Sequence, residues 1–252
     1  MPASFHDMGN NVLQERISSI ITDIEGTTTP LTFVRDVLFP YARPRLRPWL
    51  REHAQSQTAS SVLVQVQQEV GQPLSLEQAI SRLEQWSDED RKIGVLKTLQ
   101  GLIWEAGYAD GSLVAPVYPD VLPALTAWHA AGITLGVYSS GSVAAQHLLF
   151  GHTNEGDLRP LFSHWFDTET GAKQAVGSYQ RIASQLGHPP STLLFLSDHS
   201  AEVAAALAAG WHALLITRND AALPAPPLPG QTPVDSFAGI RIDTPVTLHL
   251  AG

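Results

Sequence analysis

Two carboxylates two residues apart, Asp23 and Glu25, stand where an apolar run ends and Gly26 opens a turn of three threonines. Alternation along a strand would set both acids on one side, converging on a single ion; a plain polar turn would leave Glu25 in water. A second group, Ser139-Ser140-Gly141-Ser142, lies between an apolar run and a helical stretch. Small hydroxyl residues with glycine at a helix N-terminus offer amides and hydroxyls to phosphate oxygens, although an ordinary serine N-cap has the same pattern. Lys173 is third. It falls in the first turn of a helix expected over 172–186, where its charge meets the positive end of the helix dipole at a cost of about 0.3–1 kcal/mol unless an anion is bound there. A solvated lysine is the bland counterpart. Last comes Asp198, following Ser197 at the end of another apolar run. A carboxylate there suits a hard cation that prefers oxygen ligands, or simply caps a helix. Glu202, four residues on, reads as a first-turn glutamate favoured by the dipole and is placed outside the site.

Elements of a particular kind must position these groups. The runs 17–24, 133–138 and 192–196 are apolar and of strand length, with 164–166 and 212–217 as further strands, while 120–131, 143–150, 172–186 and 202–209 have helical periodicity. Strands that alternate with helices and are apolar on both faces predict a Rossmann-like α/β core, its parallel sheet covered on both sides. The candidate residues then fall at the carboxyl ends of three strands and at one helix start, where open parallel sheets bind ligands. From 34 to 115 the rhythm changes to amphipathic helices. Ser75 and Gln78 form a capping box ahead of Leu76, Ile80, Leu83 and Trp86, and Ser87 with Asp90 marks the next helix start. This reads as an all-helical cap, residues 34–115, inserted into a core of 1–33 and 116–252. Segment 221–233 is rich in proline and reads as a loop or arm. Residues 237–248 read as an edge strand with no assigned place in the sheet.

The bulk numbers narrow the chemistry. A chain of 252 residues buries a sizeable core without staples, and it holds no cysteine, which removes disulfides, thiolate chemistry and cysteine-bound metals. Acidic residues outnumber basic ones 24 to 15, a net charge of −9 that argues against nucleic acid as a partner. The first twenty residues carry no signal-peptide pattern, and no run approaches the roughly 18 apolar residues of a membrane span, so a cytoplasmic protein with no membrane partner is expected. The ten histidines show no metal-type spacing, His199 beside Asp198 being the best placed of them. Nucleotide-binding glycine fingerprints are absent as well.

The order of the motifs (acid pair, serine loop, lysine, aspartate) resembles the haloacid dehalogenase superfamily. Seven segments are similar more closely to the enolase-phosphatases of methionine salvage, also called acireductone synthases. They are DIEGTTTP at 23–30, DVLFPYA at 36–42, LQGLIWEAGY at 99–108, VYPDV at 117–121, YSSGSVAAQHLLFG at 138–151, FDT at 166–168 and LFLSD at 194–198. The resemblance implies a haloacid dehalogenase-like fold and a magnesium cofactor, Mg2+, held by Asp23, Glu25 and Asp198. It implies substrate held by Ser139, Ser140 and Lys173, and it makes Asp23 the nucleophile that forms an aspartyl-phosphate. The resemblance also implies a catalytic Glu25, aspartate in most of the superfamily, as metal ligand, as proton-transfer residue or as both. The run after Asp198, HSAE, is less regular than the superfamily's usual second acidic pair.

The activity so implied is enolisation and then dephosphorylation of a small phosphorylated diketone, 2,3-diketo-5-methylthiopentyl-1-phosphate, to the acireductone and phosphate. Rival readings are another capped phosphatase or a dehalogenase, which differ in substrate and metal dependence, and a binding protein on a retired scaffold, which intact motifs argue against. The residues do not identify the base for enolisation. They leave the oligomeric state open, with a monomer as the working expectation.

Overall fold

A computed structural model describes residues 13–219, 227, 229, 233–243 and 247–250. Its centre is a six-stranded sheet in the order β4-β3-β2-β5-β6-β7, formed by β2 (Ser19–Thr22), β3 (Thr134–Tyr138), β4 (His164–Phe166), β5 (Leu193–Ser197), β6 (His212–Ile216) and β7 (Pro233–Val234). Every pairing in it is parallel. Side chains alternate between its faces with period two. Ile20, Leu194, Leu196, Leu214 and Ile216 join one apolar cluster with Leu125, Trp128 and Phe150. Ile21, Leu193, Phe195 and Leu215 join another with Tyr179, Ile182 and Val203. The helices Val121–Ala130 and Val143–Gly151 therefore cover one face, and Val176–Leu186 and Ser200–Ala208 the other. This is the doubly covered parallel sheet that the apolar runs predict.

Strand order reverses around β2, which lies between β3 and β5. Chain connections leave this point in opposite directions, opening a crevice at the strands' carboxyl ends. Close packing at the centre is visible at Gly136 of β3, where an added Cβ would lie 2.6 Å from Ile21 Cδ1.

Between β2 and β3 the chain makes an all-helical insertion. A π-helical turn, Val34–Leu38, leads into Phe39–Ala42 and then Leu46–Glu52, Gln57–Val70, Leu76–Asp88 and Gly94–Ala109. These helices share an apolar cluster of their own, with Leu46, Leu50, Val66, Ile80, Leu83, Trp86, Leu99 and Ile103. The capping box is present: Ser75 Oγ accepts from the Gln78 N–H and the Gln78 side chain accepts from the Ser75 N–H. The next helix does not start at Ser87 or Asp90. Helix Leu76–Asp88 runs through Ser87, Asp90 turns at φ 50°, and the following helix begins at Gly94.

Two distant described segments meet in a separate antiparallel sheet, β1 (Leu13–Arg16), β9 (Thr247–Leu250) and β8 (Ile240–Asp243), in the order β1-β9-β8. The expected strand within 237–248 thus splits into two and leaves the main sheet, whose edge is Pro233–Val234 instead. Proline suits an edge, since it has no N–H to give an inner ladder. Most of the proline-rich segment 221–232 and the first twelve residues lie outside the described residues.

Candidate active site

Asp23 and Glu25 are not the last residues of a strand. β2 ends at Thr22, Asp23 still donates its N–H to the Leu196 carbonyl of β5 at 2.8 Å, and the chain curls from Ile24. The N–H groups of Thr27, Thr28 and Thr29 all point at the Ile24 carbonyl, at 3.2, 2.9 and 3.0 Å, while Gly26 turns at φ 69°. The acid pair therefore projects from a tight loop and not from two positions of one strand face. Only glycine fits at 26, because a Cβ there would collide with Asp198 Oδ2. Thr27 Oγ1 accepts the Asp198 N–H at 3.0 Å, so the loop and the end of β5 are fastened to each other.

Asp23 is buried, 6% exposed. Its Oδ1 accepts the Ile24 N–H at 2.8 Å and lies 2.7 Å from Lys173 Nζ; its Oδ2 accepts from Ser197 Oγ at 3.3 Å. Lys173 reaches the cluster from a different place than the periodicity of 172–186 suggests. Its helix starts at Val176, and Lys173 sits in the turn ahead of it, anchored by Tyr179 O–H donating to the Lys173 carbonyl at 2.7 Å. The helix-dipole penalty does not apply there. What faces the ammonium is Asp23 on one side and Glu202 Oε2, also at 2.7 Å, on the other.

Glu202 is the main correction. It does stand in the first turn of Ser200–Ala208, as expected, but it is not outside the site: it is buried, bonded to Lys173, and 2.9 Å from Ser197 Oγ, whose single proton it shares with Asp23. The available signal was closeness in sequence: Glu202 stands in the first turn of Ser200–Ala208, directly after the end of β5 that carries Ser197 and Asp198. His199 plays a local part, its Nδ1 accepting the Ala201 N–H at 3.3 Å.

The serine loop follows β3, beside β2. Ser139 is buried, its N–H donates to the Phe166 carbonyl at 3.1 Å, and its Oγ accepts the Gly141 N–H at 3.2 Å; Ser140 is exposed. Ser142 is the plain N-cap, accepting the Ala145 N–H. Two residues not singled out in the sequence hold this loop. Gln146 Nε2 donates to the Gly141 and Phe166 carbonyls at 2.9 and 2.8 Å, and Asp167 accepts the Val143 N–H at 3.1 Å.

The electrostatics are those of crowded acids. Burial and then Asp23 push the Glu25 carboxyl above its ordinary range, with Lys173 and Lys92 of the insertion pulling the other way. Burial, Asp23 and Glu202 raise Asp198 to about 7. Burial and Asp23 also raise Glu202, more than Lys173 lowers it. Burial alone would lower Lys173, but Asp23 and Glu202 outweigh it and keep the ammonium charged. Among the described residues, no group of three or more His, Asp or Glu side chains is arranged to hold a metal ion. Magnesium does not require one, since it keeps several waters and takes one or two carboxylates plus substrate phosphate. Buried carboxylates under mutual repulsion are a donor set that fits such a cation.

A nucleophile-type carboxylate, a lysine and a serine loop at the switch point of a parallel sheet with a helical insertion define a hydrolase class. The haloacid dehalogenase-like hydrolase family model matches residues 17–210. Enolase-phosphatase E1 of Yersinia pestis (strain Pestoides F) is 52% identical over 213 residues, covering 82% of this chain and 93% of the relative. That of Methylococcus capsulatus is 51% identical over 207 residues, covering 82% and 91%. The crystal structure of the UTR4 protein of Saccharomyces cerevisiae superimposes with a TM-score of 0.76 at 31% identity, covering 88% of this chain and 98% of that one. The chain belongs to the haloacid dehalogenase-like hydrolases and, among them, to the enolase-phosphatase E1 family.

Proposed function

We propose that the chain converts 2,3-diketo-5-methylthiopentyl-1-phosphate to the acireductone, 1,2-dihydroxy-3-keto-5-methylthiopentene, and phosphate, as an enolase-phosphatase of methionine salvage. The observation that carries this reading is a buried Asp23 held by Lys173 and Ser197 in a chain 52% identical to enolase-phosphatase E1.

In this reading Asp23 attacks phosphorus. Its Oδ1 is engaged by Lys173 and the Ile24 N–H, which leaves Oδ2, with the longer Ser197 contact, the freer oxygen. A bond forms from Asp23 to phosphorus, and the ester P–O bond breaks. Glu25, whose carboxyl burial and Asp23 favour in the protonated form, gives its proton to the leaving oxygen. As a carboxylate it then takes a proton from the water that cleaves the aspartyl-phosphate, restoring Asp23 and releasing phosphate. Lys173 and the Ser139–Ser140 loop hold phosphate oxygens. Magnesium would be held by Asp23 and Asp198, and by Glu25 when that carboxylate is ionised, where it would offset the repulsion between Asp23 and phosphate and polarise the diketone for enolisation. Residues 34–115, taken as the cap on a core of 1–33 and 116–252, would cover the substrate and exclude water. A cytoplasmic place of action belongs to this reading as that of a methionine-salvage enzyme; no described helix is long and apolar enough to cross a membrane.

Purified protein, the diketone phosphate and magnesium should yield phosphate, preceded by the absorbance of the enol, and chelator should stop both. Faster release from an unrelated phosphorylated metabolite would favour another capped phosphatase. Full activity in excess chelator would remove the metal.

A further inference from the structure

Arg218 belongs to none of the motifs that mark the site. It follows β6, is 5% exposed, and its guanidinium meets three separate parts of the chain. Nε and Nη2 both donate to the Thr27 carbonyl, at 3.0 and 2.7 Å. Nη1 donates to both Asp120 oxygens, at 2.9 and 2.7 Å, and to the Asp235 carbonyl at 3.4 Å. The rings of Tyr118 and Phe237 lie 4.2 and 5.0 Å from its central carbon. Asp120 in turn accepts from Ser236 Oγ at 2.9 Å and from the Phe237 N–H.

Thr27 is where this assembly touches the acids. Its carbonyl takes two Arg218 donors and its hydroxyl takes the Asp198 N–H. The next residue's carbonyl accepts the Tyr118 N–H at 3.0 Å, so Arg218 and Tyr118 grip the loop at consecutive positions. Gly26, one residue before Thr27, packs against Asp198 with no room for a Cβ. A shift at Thr27 would therefore move Glu25 and Asp198 relative to each other.

Stability alone is a weak reason for this arrangement. A buried ion pair often adds little over a well-packed apolar replacement. What Arg provides and Lys does not is a planar fork that can put two donors on one acceptor while a third binds a carboxylate.

We propose that Arg218 is a positioning residue that holds the Thr27 carbonyl and, through Thr27, Asp198. The proposal rests on the phosphatase reading of that loop.

The test compares R218K with D120N in the full chain. D120N breaks the ion pair but leaves both Thr27 contacts available. R218K should lower kcat for phosphate release about 10- to 100-fold, with KM within about threefold. D120N should melt at least as early as R218K yet keep kcat within about threefold. Hydrogen exchange of the 24–29 amides should rise in R218K and not in D120N. Magnesium binding followed by calorimetry should weaken in R218K alone. If R218K does not fold, T27V, which removes the hydroxyl facing Asp198 and keeps the carbonyl, should show the same kcat loss and weakened magnesium binding. A kcat that falls with melting temperature alike in R218K and D120N, or T27V with normal kcat, would overturn the proposal. If the wild type releases no phosphate at all, the functional reading fails by itself. Exchange then still decides, and unchanged protection of 24–29 in R218K would overturn the role of Arg218.

Discussion

The helical insertion and the strand-end cluster both bring acids and bases together, and they do so to opposite effect. In the insertion, Arg43, Arg47 and Arg51 face Glu77, Glu84 and Asp88 at contacts of 2.6 to 3.3 Å, at the surface or half-buried. Arginine hydrogen bonds hold each of those acids below its ordinary range. At the strand ends, Lys173 is shared by buried Asp23 and Glu202, and Glu25, Asp198 and Glu202 are all raised, first by burial and next by Asp23. The first arrangement is electrostatically satisfied and calls for no ligand. The second carries unmet negative charge, and a cation with a phosphate oxygen shell would relieve it.

The sharpest break in this comparison is Asp23→Asn. If the strand-end cluster is chemical and not structural, phosphate release should fall by at least ~10³-fold while circular dichroism and melting stay near wild type. A folded variant with near-normal turnover would sink the aspartyl-phosphate mechanism. Lys173→Met comes next. It removes a donor aimed at the reacting group, a loss on the order of 10²–10³-fold in kcat, and leaves Asp23 facing Glu202 in a buried site. Breaking a buried pair in this way costs about 3–5 kcal/mol, readable by denaturant melts. Unaltered stability would mean that the ammonium does not bridge the two acids.

Much of this site was legible in the sequence because it is local. Asp23, Ser139 and Asp198 each follow a short apolar run, and a parallel sheet places the ends of such runs together whatever lies between them. The helical position expected for Lys173 and the exclusion of Glu202 from the site fail for a common reason: both residues were weighed against their own helix's dipole, while their environments come from elsewhere. Gly171, at φ 139°, and the turn after it set Lys173 ahead of the helix. Its partners Asp23 and Glu202 come from other elements. The pairing of β1 with β9 and the grip of Arg218 on Thr27 are contacts between distant segments, and periodicity does not report those.

Protonation separates the two regions further, with opposite signs. Asp198 is raised to about 7 in the folded, metal-free protein, against an unfolded value near ~3.9. Between those values the folded state binds the extra proton, so its stabilising contribution is full below the unfolded pKa and is lost as pH rises through about 7. Metal-free protein should therefore melt earlier at pH 8 than at pH 5.5 (both about one unit or more from the limits of that window). Magnesium should flatten the slope by favouring the carboxylate. A melting temperature that rises over the same range without metal would contradict the crowded-acid description.

The smallest effect is expected where the most ion pairs are visible. Glu84 accepts from Arg47 Nε and Nη2 at 3.1 and 2.6 Å and sits 3.3 Å from Arg43. The Arg47 hydrogen bond is the leading reason its carboxyl lies below the ordinary range. A depressed folded pKa gives the reverse linkage: the contribution is present above the unfolded value and is lost as pH falls through the folded one. Glu84→Gln should then cost about 1 kcal/mol or less near neutral pH. The gap in melting temperature between variant and wild type should close in acid, and it should narrow in high salt, which screens partly exposed pairs. Turnover should stay within about twofold, because the charges of this network are met by one another. A kcat loss comparable to that of Lys173→Met would show instead that the insertion's ion pairs set the geometry of the site, and the contrast between the two regions would no longer hold.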